Sequence, residues 1–230
     1  IVYFDQLQYR PVGGIHLGPG NKMYIGTQPD YGLVGGALSV FDPETEKLEI
    51  YRNLIPDEEI AAIATDDRYV YGEADSEGGG GSKPVAEGVH FFVWDPQSRK
   101  LVFDQILPGA GSFRSIAAVR GHAYFVTGGQ MMDYDSTTRV LSPVPHLDGL
   151  GAVPPESLKA AKDGTLFGIF GKQLGRFDPK TRHLQLFPET AGYATSGLTL
   201  GTDGTVYFGS YTDMGIYHPE SPSPLASYGN

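Results

Sequence analysis

The chain has 230 residues, a formal net charge of -10 and no cysteine, and it is rich in Gly (32), Pro (17) and Tyr (14). Without cysteine there are no disulfides, thiolate metal sites or cysteine nucleophiles, and an acidic chain with no basic block lacks the surface that neutralises nucleic-acid phosphates. No apolar run reaches the roughly 20 residues of a membrane-spanning helix, while Gly and Pro without a collagen-like period predict many tight turns between aromatic strands.

The chain opens at Ile1 with no Met and no signal segment, and reads as a processed or excised domain. Ile1-Val2-Tyr3-Phe4 is a short strand pattern. After it one phrase recurs: a small or apolar strand, a Gly/Asp turn, an aromatic strand, a variable loop, a strand ending in aromatic-Asp-Pro, and a last strand. The first turns are Gly20-Asn21, Asp66-Asp67, Arg120-Gly121, Asp163-Gly164 and Asp203-Gly204. The second strands begin at Met23, Tyr69, Ala123, Leu166 and Val206. The third strands end at Phe41-Asp42-Pro43, Trp94-Asp95-Pro96, Tyr134-Asp135-Ser136, Phe177-Asp178-Pro179 and Tyr217-His218-Pro219. The spacing is about 40 to 54 residues, the size of a propeller blade. Asp-Gly supplies the positive φ of a two-residue hairpin, and Asp-Pro-x-Thr opens a turn through the Asp side chain and the fixed φ of Pro.

This predicts an all-β fold: one five-bladed β-propeller of four-stranded antiparallel blades over residues 1–230. The blades fall near 13–52, 59–107, 113–147, 156–188 and 196–220 plus 1–6. Ser157 to Lys162 occupies a first-strand slot despite a brief helical look. Ser221 onward is Pro- and Ser-rich and reads as a poor strand, so Ile1–Phe4 is expected to supply the last blade's fourth strand and close the sheet edges. The rival reading makes the chain a piece of a larger propeller. A designed repeat ranks last, because the blades differ in sequence and loop length.

The phrase resembles the repeats of bacterial propellers of the gluconolactonase-like, YVTN and NHL-like type. The resemblance covers nearly the whole chain and implies architecture; those propellers include hydrolases, lyases and binders, so it implies no single activity.

Four of the recurring Asp residues (Asp42, Asp95, Asp135, Asp178) repeat one turn in four blades and read as structural, as do Asp163 and Asp203. Functional residues are expected where the repeat is broken, in loops of the ligand-binding face. Two of those loops are long, Thr27–Gly36 and Glu73–Gly88. The second contains Gly78-Gly79-Gly80-Gly81-Ser82, which reads as a mobile natural lid, with an engineered linker as the alternative. The first-strand column is read as His16, Ala62, Ile116, Lys159 and Thr199. His16, Arg114 and Lys159 are therefore the cations expected near the channel, with Glu58, Glu59 and Glu156 at the same mouth. Glu73, Tyr31 and Tyr211 follow second strands and suit a sugar that stacks on aromatics and bonds through its hydroxyls. The alternatives are a hydrogen-bonded channel lining and a solvated rim.

No His-x-x-x-His pair or G-x-S-x-G motif is present, and no metal or cofactor is expected. Two functions remain. The first is a non-catalytic carbohydrate- or protein-binding domain of a larger bacterial extracellular or periplasmic protein, monomeric, with neither nucleic acid nor membrane as partner. The second is a polysaccharide lyase on uronic acids. There Arg114 would neutralise the substrate carboxylate, and His16, Lys159 or Tyr31 would take the proton. A glycosidase would draw its two carboxylates from Glu58, Glu59, Glu73 and Glu156.

Overall fold

Alternating apolar residues and regularly spaced turn residues make antiparallel hairpins the cheapest way to satisfy the backbone, and every repeat becomes one such meander. The computed structural model describes residues 8–192, 194–221 and 224–228. Blade one is β1 (Gln8–Gly18), β2 (Lys22–Pro29), β3 (Ala37–Asp42) and β4 (Lys47–Arg52). Blade two is β5 (Glu59–Thr65), β6 (Val70–Asp75), β7 (Val89–Asp95) and β8 (Lys100–Ile106). Blade three is β9 (Ile116–Val119), β10 (His122–Thr127), β11 (Gln130–Asp135) and β12 (Val140–Pro143). Blade four is β13 (Leu158–Ala160), β14 (Leu166–Phe170), β15 (Gln173–Asp178) and β16 (His183–Leu186). Blade five is β17 (Ser196–Leu200), β18 (Val206–Ser210), β19 (Asp213–Tyr217) and β20 (Leu225–Tyr228). Each sheet has four strands in chain order, and together they are the five blades of an all-β propeller. The chain divides into two compact units, residues 1–114 with blades one and two, and residues 115–230 with blades three to five.

Two sequence expectations are corrected. The fourth strand of blade five is β20, paired to β19 through Tyr217–Leu225 and Ile216–Ala226; Ile1–Phe4, expected in that place, lie outside the described residues. Pairing with β19 starts at Leu225, beyond the Pro- and Ser-rich stretch of the sequence. The second correction is register. Val70 stands opposite Trp94 as Met23 stands opposite Phe41, so Val70, not Tyr69, is the equivalent of Met23. The first-strand column then runs His16, Ala64, Ala117, Lys159 and Thr199, the residues opposite Tyr24, Tyr71, Tyr124, Phe167 and Tyr207. Bulges in β1, β5 and β17 shift the alignment of residues before them, which a linear comparison cannot see.

The repeated Asp residues do the work of turns. Asp42 accepts from the Glu44 and Thr45 amides, Asp95 from Gln97, Asp135 from Thr137 and Thr138, and Asp178 from Lys180. The Thr137 amide is the main reason that the Asp135 carboxyl lies below its usual range, and the Lys180 amide does the same for Asp178.

Apolar faces of successive blades pack on each other inside each unit. Tyr24, Leu38 and Val40 of blade one meet Ile63, Val70, Phe92 and Trp94 of blade two. The Trp94 ring lies 4.9 Å from Tyr51 and edge-on to Tyr24 at 6.3 Å. In the second unit one core joins blades three and four around Tyr124, Leu158 and Phe177, and another joins blades four and five around Phe167, Leu198 and Phe208.

Candidate functional site

The unusual chemistry gathers at the loop end of blade two. Strand β6 ends Glu73-Ala74-Asp75, and the pleat puts Glu73 and Asp75 on one face. Glu73 is fully buried; its Oε1 accepts from the Phe113 amide (2.8 Å) and its Oε2 from the Arg114 amide (2.6 Å). This strap holds Arg114 at a φ of 26°, in the left-handed region where Gly14 within β1 and Gly197 near the start of β17 also stand. Such backbone in a non-glycine residue costs of order 1–3 kcal/mol and persists when its surroundings enforce it.

The Arg114 side chain then reaches three carboxylates through Nη2: Glu59 at 3.2 Å, Asp75 at 3.3 Å and Glu77 at 2.6 Å. Its Nε donates to Ser112 Oγ at 3.1 Å. Glu59 and Asp75 are buried behind the guanidinium, whereas Glu77 is exposed in front of it. Burial, followed by the neighbouring Asp75 charge, pushes the Glu59 carboxyl up to about 8 against the pull of Arg114. Glu59 Oε2 is buried without a hydrogen-bond partner. Burial likewise pushes Glu73 up to about 7, against hydrogen bonds from Ser112 and the Phe113 amide.

Next to this cluster Glu58 faces His90 Nε2 at 3.6 Å, and His90 Nδ1 lies 2.7 Å from Asp104 on β8. Burial pushes Glu58 up to about 7, with His90 opposing, and its Oε2 is a second buried oxygen without a partner.

The two long loops of this unit interlock. The Gly32 amide donates to Gly80 O (2.9 Å), the Gly79 amide to Leu33 O (2.9 Å) and Gln28 Nε2 to Gly78 O (2.8 Å). A Cβ on Gly79 would overlap the Asp30 carbonyl oxygen. The glycine string is therefore a close backbone seam and not the free lid expected from its composition. Its seam partner, the loop after β2, presents Tyr31, which is largely exposed.

The structure thus brings Glu58, Glu59, Glu73 and Arg114 together at the end of one blade and sets Tyr31 on the seam above the same blade pair. His16 lies opposite Tyr24 on β1, on the side facing blade two. Glu156 and Lys159 pair with each other in the second unit, and exposed Tyr211 has Lys172 Nζ 5.9 Å from its ring centre there. Sequence reasoning passed over Asp75 and Glu77 as partners of Arg114. The alternation Glu73-x-Asp75-x-Glu77 at a strand end was the available signal. Among the described residues no three His, Asp or Glu side chains converge as a metal site.

A cavity of about 500 Å³ lies instead at the turn end of blades four and five, lined by Phe167, Arg176, Leu200 and Asp203. Similar gaps of about 250 and 240 Å³ recur between blades one and two and between blades three and four. They repeat with the fold, and Arg176 in the first of them is tied to Asp163 at 2.8 Å. This marks them as wedges where neighbouring blades diverge.

No protein-family model matches the sequence, and no curated protein matches it. Solved structures do. The chain is similar to the extracellular domain of the one component system BT4673 from B. thetaiotaomicron, at 17% identity and a TM-score of 0.62, over 98% of this chain and 28% of that one. It is similar to virginiamycin B lyase from Staphylococcus aureus at 15% identity and a TM-score of 0.50, over 99% of this chain and 86% of the lyase. It also matches a chain of the Mitotic Checkpoint Complex at 7% identity and a TM-score of 0.65, over 99% of this chain and 72% of that one. The chain spans little more than a quarter of the BT4673 domain. At these identities the likeness establishes the propeller fold. No helix among the described residues is long and apolar enough to cross a membrane.

Proposed function

We propose that the chain is a non-catalytic recognition propeller that binds carbohydrate at the loop end of blades one and two. The observation that carries the reading is the Arg114 guanidinium held by Glu59, Asp75 and Glu77, with only Glu77 and part of Arg114 facing solvent. Planar, preorganised donors and acceptors of this kind bond vicinal hydroxyls in pairs, and the exposed Tyr31 ring offers an apolar face for a pyranose. Glu77, Arg114 and Tyr31 are the contact residues; Glu59, Glu73 and Asp75 hold them in place. The extracellular BT4673 domain among the similar structures is in keeping with an extracellular or periplasmic setting. So is a repeat of the gluconolactonase-like, YVTN and NHL-like kind.

A glycan array followed by calorimetry tests the reading. One glycan class should bind, with Tyr31→Ala and Glu77→Ala each weakening it roughly tenfold, about 1.4 kcal/mol. No glycan bound, or a protein ligand bound elsewhere, would overturn it.

A second reading, lyase action on uronic acids, draws on the likeness to virginiamycin B lyase. It needs Arg114 to neutralise a substrate carboxylate, and Arg114 already faces three carboxylates of its own chain. Release of an unsaturated uronide by the purified chain, lost in Arg114→Ala, would establish it in place of the binder.

A further inference from the structure

The wedges between blades recur with the fold, but what lines them does not. Between blades one and two the wall includes Val40, Gln97 and Arg99, and Arg99 Nη2 is held by Glu49 Oε1 at 3.0 Å. Register gives the equivalents between blades three and four. Asp133 stands opposite Tyr124 as Val40 stands opposite Tyr24, and Ser142 stands opposite Asp133 as Glu49 stands opposite Val40. In the turns after the third strands, Lys180 takes the place of Gln97 and Arg182 that of Arg99. The acid that neutralises the arginine between blades one and two is therefore replaced by a serine, and a second cation stands beside that arginine.

Arg120 adds a third cation. Its Nη2 donates to the Asp163 carbonyl at 2.9 Å, and its guanidinium lies against Gly164, where a Cβ would stand 2.9 Å from Cζ. A carbonyl oxygen fixes the group without cancelling its charge. The floor of this cavity of about 240 Å³ is His122 and Tyr124, whose rings stack with centres 6.0 Å apart. Asp133, buried, is the one acid among the described residues that line it. His122 Nδ1 takes its Oδ1 at 2.8 Å, while Arg182 Nη2 stays 3.8 Å from its Oδ2, too far for a hydrogen bond. Nearby Asp135 and Asp178 accept the amides of their own turns, and Asp163 Oδ2 is held by Arg176. Arg120, Lys180 and Arg182 are all exposed, so their charged heads are open to a ligand. Three cations thus face one acid in a chain whose net charge is -10.

We propose that this wedge binds an anionic group of the sulfate or phosphate class, through Arg120, Lys180 and Arg182 over the His122–Tyr124 floor. A planar carboxylate matches a single arginine fork. A tetrahedral oxyanion offers oxygens in several directions, and these donors arrive from two blades, residues 120–122 of blade three and 180–182 of blade four. The guanidinium groups supply paired donors and the Lys180 ammonium a point charge. Division over two short segments also explains why the sequence shows no basic block. The site is independent of the carbohydrate reading, because none of its residues belongs to the loop-end cluster.

Titration of the full chain with sodium sulfate and with sodium phosphate at constant ionic strength, followed through amide chemical shifts, tests it. Saturable shifts are expected at Gly164, Lys180 and Arg182, and chloride at the same ionic strength should leave them unmoved. Whichever anion binds the tighter names the source, a sulfate or a phosphate ester. Lys180→Gln and Arg182→Gln alter exposed positions, so both should keep the native melting temperature while each weakens binding roughly tenfold. Ser142→Glu restores the acid that blade one sets beside its wedge and should weaken binding as much. Arg99→Gln, in the wedge between blades one and two, should leave it unchanged. Shifts that do not saturate, chloride acting as well as sulfate, or Lys180 and Arg182 variants that bind like the parent would each overturn the proposal.

Discussion

Asp135 and Glu73 accept backbone amides in the same manner, yet they end in opposite states. Asp135 bonds the Thr137 and Thr138 amides in an exposed hairpin turn, and its carboxyl sits below the usual range. Glu73 bonds the Phe113 and Arg114 amides, and its carboxyl is pushed up to about 7. The difference is burial: at Glu73 the loss of water outweighs the donors, whereas at Asp135 water remains and the donors decide. The same sorting separates the two regions of the molecule. Turn carboxylates stabilise their own hairpins, and the carboxylates at the loop end of blade two hold an arginine in place from inside.

The sharpest way to break this comparison is to remove each acid. Glu73→Ala leaves two buried amides without an acceptor and should cost roughly 2–5 kcal/mol in urea unfolding. Next comes pH. Glu58, Glu59 and Glu73 stand at about 7, 8 and 7 when folded, and near 4.3 when unfolded. Between these values the folded chain holds protons that the unfolded chain has released, so stability falls as pH rises from about 5 to 8 and levels off above. Each such proton contributes about 1.4 kcal/mol per pH unit at most. The turn carboxylates, lowered when folded, act with the opposite sign, but only below about pH 4. Urea midpoints at pH 5 and pH 8 decide the matter; a higher midpoint at pH 8 would show that burial is not the controlling influence.

The glycine seam gives a smaller effect. Gly79→Ala drives a Cβ onto the Asp30 carbonyl and should cost about 1–3 kcal/mol, while Gly111→Ala, with open space around its Cβ, should lie within about 0.5 kcal/mol of the parent. Equal melting temperatures for the two variants would make the string a plain linker. Smallest is Asp135→Ala, which removes turn bonds that water can replace and should cost under about 1 kcal/mol with no effect on ligand binding.

The blade repeat and the structural role of the turn Asp residues were legible, because both rest on local chemistry: aromatic alternation, Asp-Pro turns and spacing. Glu58, Glu59, Glu73 and Arg114 were legible as pattern-breakers, because breaks in a repeat are visible in one dimension. Their pairing was not. It depends on bulges that shift register within a blade and on the segment after β8 returning to the end of β6. Gly78–Ser82 was misread because composition reports how freely a segment can move and not what lies within reach of it. The strand that completes blade five was missed because Pro and Ser before Leu225 mask a strand that begins only after them.

The central claim is that ligand is held at the loop end of blades one and two. Amide chemical-shift mapping during titration with the glycan selected by array tests it most directly. The account predicts that the largest shifts fall at Tyr31, Glu77, Phe113 and Arg114, with Asp135 and Asp178 unmoved. Shifts centred on the cavity around Phe167 and Arg176, with Arg114 silent, would contradict it.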